Sequence, residues 1–190
     1  ACALHSPSLE NRSAAHSHMA LFDGNYDCCV GLIGAGMIGA MVAERLKAYQ
    51  IKVLVFDPFL SDERAAELGV EKTSLERLFT ECQTISNHLA NNAQTVGMLN
   101  YDRCFSHMLP HATFINTGRG AQVVEADLIR ALKEEPHRTA VLDVTMPEPP
   151  AADSAFYAMP NVFLTPHIAG SKGKEVHRMS LYMLEEFRRW

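Results

Sequence analysis

At 190 residues and 47% hydrophobic content, the chain can bury one full core and at most a small appendage. A net charge of −5 with no dense basic run argues against nucleic acid and anionic membranes as partners. No apolar stretch approaches the roughly 20 residues that cross a bilayer, and the first residues lack the pattern of a secretory leader. The five cysteines (Cys2, Cys28, Cys29, Cys82 and Cys104) show no C-x-x-C spacing, which fits reduced thiols in a cytoplasmic protein and no metal site.

Residues 1–27, rich in His, Ser, Ala and Asn without periodicity, read as a lead-in segment. The apolar run Val30-Gly31-Leu32-Ile33 predicts a first strand, opened by Cys28 and Cys29 as small core-edge residues. It runs into Gly34-Ala35-Gly36-Met37-Ile38-Gly39 and then a helical pattern, with Ile38, Met41, Val42 and Leu46 expected on its inward face. A second strand, 51–56, ends on Asp57. This is the physical description of a dinucleotide site. Gly34 allows a tight turn, Gly36 lets backbone approach a pyrophosphate, and Gly39 lets the helix pack close while its N–H groups face the phosphates. Asp57 would accept hydrogen bonds from the adenosine ribose hydroxyls and repel a 2′-phosphate, favouring NAD over NADP.

Further along, Leu75, Leu78 and Phe79 predict a short helix, 84–89 a strand and 101–109 another short helix. Residues 112–117 predict a buried strand. Val124, Leu128, Ala131 and Leu132 mark a helix that ends near Pro136. Strands at 139–144 and 162–165 follow. Val176, Met179, Met183, Leu184 and Phe187 fall on one face of a last long helix. Alternation of this kind predicts an α/β fold with a doubly wound parallel sheet, a Rossmann-type dinucleotide-binding domain.

Three ionisable residues sit just past predicted strands, where an open α/β sheet lines its ligand crevice. Arg119 follows Asn116-Thr117-Gly118, Glu148 lies between Pro147 and Pro149, and His167 follows Thr165-Pro166. A guanidinium can hold a carboxylate bidentately, and a histidine backed by a carboxylate can serve as general acid and base. Taken singly, each has a plainer reading: a surface arginine, a solvated loop acid, a hydrogen-bonded histidine at the core edge.

Together with the glycine turn they make the chain resemble the D-isomer-specific 2-hydroxyacid dehydrogenases, which include phosphoglycerate, glycerate, hydroxypyruvate and D-lactate dehydrogenases. Four blocks match in order: Gly34 to Gly39 with Asp57; Asn116 to Gly120; Asp143 to Pro149; and Thr165 to Gly170. His88-Leu89 and Thr95 fall where the family carries its H-x-P-x-x-x-x-T segment. The resemblance spans roughly 28–190. It implies that Arg119 binds the substrate carboxylate and 2-oxygen, that His167 is the acid/base, and that Glu148 hydrogen-bonds His167 and favours its imidazolium. It further implies that Asp143 faces the nicotinamide carboxamide. Gly34, Gly36, Met37, Ile38, Gly39, Asp57, Leu89, Thr117, Gly118, Arg119, His167, Ala169 and Gly170 would line the cofactor. The remaining histidines receive no role.

The chain departs from the family at Met37 (usually Arg), Ala90 (usually Pro) and Thr145 (usually aromatic). By the same resemblance, 28–171 is the NAD-binding domain and 172–190 a truncated C-terminal helix returning toward a substrate domain that is otherwise largely absent. A homodimer through the NAD-binding domain and a small 2-hydroxy or 2-oxo acid substrate are implied, with little turnover by the isolated domain. A corepressor-type module that senses NAD(H) on the same fold is the alternative from a different class.

Overall fold

A computed structural model describes Gly24 and residues 26–190; most of the lead-in read at 1–27 lies outside the described residues. The chain runs β1 (Cys29–Ile33), α1 (Met37–Leu46), β2 (Lys52–Phe56), α2 (Asp62–Leu68), β3 (Glu71–Lys72), α3 (Leu75–Glu81), β4 (Thr84–Asn87), β5 (Thr113–Asn116), α4 (Glu125–Glu134), β6 (Thr139–Leu142), β7 (Val162–Leu164) and α5 (Lys174–Arg189). The strands form one seven-stranded sheet in the order β3-β2-β1-β4-β5-β6-β7, and every pairing is parallel. All strands therefore end on the same edge, and the order reverses between β1 and β4. That switch point is where open α/β sheets bind ligands.

The strands' period of two splits the core between two layers. Leu32, Val53 and Val55 join Ala43, Ala65 and Leu68 on one face. Ile33, Leu54, Ile85 and Phe114 join Leu78, Phe79 and Leu128 on the other. There Phe105 meets Phe79 and Phe114 edge to face, with centroids 5.9 and 5.3 Å apart. Short helices are started by local chemistry. Ser61 and Ser74 accept from the N–H of Arg64 and Arg77 at the starts of α2 and α3.

Several expectations need correction. Val42 and Leu46 do turn toward the core, but Ile38 and Met41 are 54% and 45% exposed. The face of α1 that meets the sheet is built from Gly39 and Ala43, because the helix lies too close for larger side chains. Residues 101–109 form turns ending in one 3₁₀ turn, Phe105–His107. Helix α2 and strand β3 were not read from the sequence at all: α2 buries only Ala65 and Leu68, and β3 is a two-residue exposed edge. The apolar residues of α5 lie on one helix as expected, yet the helix buries none of them. No helix among the described residues is long and apolar enough to cross a membrane.

Candidate functional site

The glycine turn joins β1 to α1 at the switch point. Gly34 has φ +93°, and a Cβ there would come within 2.9 Å of the His88 carbonyl oxygen. At Gly39 a Cβ would sit 2.0 Å from the Gly34 carbonyl oxygen, whereas at Gly36 it would meet nothing within 4 Å. The first and third glycines thus let chain segments touch, and the second leaves open space in front of the N-terminus of α1. The first turn of α1 carries no acidic residue, so nothing in it opposes an anion.

Asp57 closes β2 and reaches back to this turn. One carboxylate oxygen accepts from Ala35 N–H at 2.7 Å and the other from Phe59 N–H at 2.8 Å. The carboxylate is a strap for the turn as well as a potential ribose acceptor. Gly34, Gly36, Met37, Ile38, Asp57, Leu89 and Thr95 line one cleft of about 810 Å³. A mainly apolar wall with a glycine turn, a helix N-terminus and one fixed carboxylate can hold a dinucleotide. Thr117, Gly118 and Arg119 line a smaller hollow that shares Ile38, His88 and Leu89 with this cleft.

Between them lies a buried polar network that sequence reasoning missed. Asn87 and Asn116 end β4 and β5 at the same register. The Asn87 amide donates to Asn116 Oδ1 at 3.0 Å and to Gln122 Oε1 at 2.6 Å. Gln122 in turn donates to the carbonyls of Leu89 and Ala90 and accepts from Arg119 N–H. The network fixes the backbone of Leu89, Gly118 and Arg119, and its buried members satisfy one another. The available signal was a polar amide closing two apolar strands, where a core would otherwise exclude it.

The Arg119 side chain is exposed and donates to the Gly118 carbonyl at 2.7 Å. Among the described residues it has no salt bridge to a carboxylate. One of its nitrogens is taken by that carbonyl, which leaves the rest of the guanidinium for an incoming anion.

The loop after β6 and the loop after β7 converge. Thr145 Oγ1 donates to the Pro147 carbonyl, and Met146 N–H donates to Glu125 Oε1 at 2.7 Å, shaping the segment that carries Glu148. His167 Nδ1 then lies 2.6 Å from Glu148 Oε1. Both side chains are 41% exposed and line a pocket of about 410 Å³ with Thr145, Tyr157 and Leu164. Nδ1 faces the carboxylate, which leaves Nε2 for a ligand. His167 has φ +51°, unusual for a residue with a side chain. Its N–H donates to the Asp143 carbonyl at 3.1 Å.

Asp143 lines the same pocket as His167, with its carboxylate already engaged. Its carboxylate accepts from Thr165 Oγ1 at 2.5 Å and from the N–H groups of Ile168 and Ala169 at 2.8 Å each. It holds the loop of His167 in place. Burial works to raise its pKa, but the hydrogen bonds from Thr165, Ala169 and Ile168 outweigh that and leave it below the usual carboxylate value. A depressed folded-state pKa contributes stability above the unfolded value near 4, and that stability is lost as pH falls through the folded pKa. Asp143→Asn should therefore lower the melting midpoint at neutral pH, and the gap from wild type should close in acid. A gap that persists unchanged to low pH would remove the charge from this account.

Ala169 and Gly170 extend from this loop into solvent, and Gly170 has open space around it. His88 is half-buried: desolvation pushes its pKa down, and its Nε2 shares a hydrogen bond of 3.0 Å with Ser86 Oγ. Among the described residues no cluster of three or more His, Cys, Asp or Glu is placed to hold a metal ion.

A sequence profile for the "D-isomer specific 2-hydroxyacid dehydrogenase, NAD binding domain" matches residues 9–169. The D-3-phosphoglycerate dehydrogenase of Archaeoglobus fulgidus is 35% identical over 156 residues, covering 82% of this chain and 29% of that protein. The NAD-complexed D-isomer specific 2-hydroxyacid dehydrogenase of Lactobacillus delbrueckii ssp. bulgaricus superposes with a TM-score of 0.75 at 28% identity, over 86% of this chain and 53% of that one. A relative from Xanthobacter autotrophicus Py2, solved with NADPH and MES, gives a TM-score of 0.67 at 32% identity, over 76% and 46% of the two chains. The chain spans about half the length of these solved structures.

Proposed function

We propose, from the premise that this chain belongs to the D-isomer specific 2-hydroxyacid dehydrogenase family as its NAD-binding domain, that it is the cofactor half of an oxidoreductase interconverting a small D-2-hydroxy acid and its 2-oxo acid. The observation that carries this reading is the His167–Glu148 pair, 2.6 Å apart on the strand edge that also bears the glycine turn. The nicotinamide cofactor, when bound, would supply the hydride acceptor in its oxidised form and the hydride donor in its reduced form. The chain's own residues do the rest. Gly34, Gly36 and Gly39 set the turn, and the N–H groups of Met37 and Ile38 face the pyrophosphate space. Arg119 clamps the substrate carboxylate through its two-pronged fork, which lysine cannot reproduce. His167 Nε2 takes the C2 hydroxyl proton in oxidation and returns it in reduction. Glu148 orients the ring through Nδ1.

The test of this reading is NADH oxidation with glyoxylate, hydroxypyruvate and pyruvate, measured on the protein in its full natural length. Turnover of none of them, with NADH still bound, would require another reaction.

We read Asp57 as the selector of NAD over NADP. Asp57→Ala should shift the ratio of NADH to NADPH affinity toward NADPH by about tenfold, or about 1.4 kcal/mol. Calorimetric titration of both nucleotides checks it, and an unchanged ratio would confine Asp57 to its strap role. The domain is also proposed as the dimerising unit of a cytoplasmic enzyme, while the apolar face of α5 (Val176, Met179, Met183, Leu184 and Phe187), which the domain itself leaves exposed, is read as facing the substrate domain.

A further inference from the structure

The sheet edge opposite the cleft holds two thiols in contact. Cys29 opens β1 and Cys82 follows the last turn of α3, and their sulfurs lie 3.2 Å apart as free thiols. The backbone fixes this approach. Cys29 N–H donates to Gln83 Oε1 at 2.8 Å, and Gln83 N–H donates to the Cys29 carbonyl at 3.1 Å. Gly31 leaves the room, since a Cβ there would come within 3.1 Å of Cys82 Sγ and 2.5 Å of Leu78 Cδ2. Cys82 is fully buried, while Cys29 is partly exposed. One thiol is reachable and its neighbour is sheltered.

We propose that Cys29 and Cys82 form a dithiol site that reacts with hydroperoxides and closes to an intramolecular disulfide. The Cys29 thiolate attacks one peroxide oxygen, the O–O bond breaks, and the alcohol (water, for hydrogen peroxide) leaves with a proton. Cys29 is then a sulfenic acid. Cys82 sulfur attacks Cys29 sulfur, the S–O bond breaks, and water departs with the Cys82 proton. Two thiols give up two electrons and one hydroperoxide takes them. The sulfurs need only draw in to about 2.05 Å.

The electrostatics assign the roles. The hydrogen bond from Cys82 holds the Cys29 thiol below its usual range, against burial; Lys52, opposite on β2, helps, while Glu81 and Glu71 oppose. Cys82 is pushed far up by its hydrogen bond with Cys29 and by burial. The thiol with more thiolate character is the one that solvent reaches. Cys104, by contrast, is buried without such a neighbour and pushed up to about 12.

The test treats the reduced 190-residue chain with a few equivalents of hydrogen peroxide and reads intact mass and non-reducing peptide maps. Expected are the loss of two hydrogens, a peptide cross-linking Cys29 to Cys82, and reversal by dithiothreitol. Cys28→Ser should leave the cross-link intact. Cys82→Ala should stop at a Cys29 sulfenic acid that dimedone captures. The proposal is overturned if wild-type Cys29 advances to sulfinic acid without a cross-link, if the bond forms to Cys28 or to a second chain, or if the thiols survive the treatment. The wild-type mass decides this even where a variant fails to fold.

Discussion

Replacing His167 by alanine in the full-length protein is expected to lower kcat/KM for a 2-oxo acid by about 10²- to 10⁴-fold, the usual contribution of a positioned acid/base. NADH affinity should change little, because the residue's contacts to the rest of the domain are through its backbone and Glu148. Glu148→Gln keeps the shape and removes the charge. It should lower turnover by roughly ten- to a hundredfold, less than loss of the histidine, since the ring remains. Reduction and oxidation must fall together, as a variant cannot alter the equilibrium constant of the reaction. Glu148 is exposed, so the melting midpoint should hardly move. Steady-state rates in both directions together with a thermal melt test all of this. Wild-type kcat in Glu148→Gln would make the glutamate a solvated loop acid and dissolve the pair.

The glycine turn separates folding from binding in a way that two variants can read. Gly39→Ala forces a Cβ to within 2.0 Å of a backbone oxygen, an overlap that no side-chain rotation relieves. The turn must open, and we expect both a fall of several degrees in melting midpoint and at least a hundredfold loss of NADH affinity. At Gly36 a Cβ would meet nothing within 4 Å among the described residues, and the backbone there is extended as any residue adopts, so Gly36→Val is the contrasting variant. Its melting midpoint should stay near wild type while NADH binding is lost, because the new side chain fills the space before α1. Fluorescence titration and a melt on each variant suffice. A Gly36→Val protein that binds NADH normally would place the pyrophosphate elsewhere.

The sequence carried the architecture where burial is two-sided. Strands such as Leu32-Ile33 and Val53-Leu54-Val55 are apolar on both faces, and their order followed from alternation with helices. It was less legible where an element touches the core lightly. Helix α2 and strand β3 offered too few apolar positions for a period, and the close approach of α1 inverted the ordinary rule that its largest apolar residues face inward. At the site, the glycine turn and Asp57 could be read from physics alone. The meeting of Glu148 with His167 could not, since they are brought together by loops from two strands whose course no periodicity encodes; family resemblance supplied it. Nor did resemblance supply the Asn87–Asn116–Gln122 network or the loop-holding role of Asp143, both of which depend on which backbone groups need partners.

The left-handed backbone at His167 bears on the protein's evolutionary options. At φ +51° a glycine would sit without the steric penalty of a Cβ, a penalty of about 1–2 kcal/mol for a left-handed L-residue. Selection for stability alone would favour losing the imidazole at this position. A histidine maintained there is a tension between folding and use held in one backbone angle. Screens that select only for thermal robustness should find position 167 among the sites where stabilising changes are most easily gained and activity most easily forfeited.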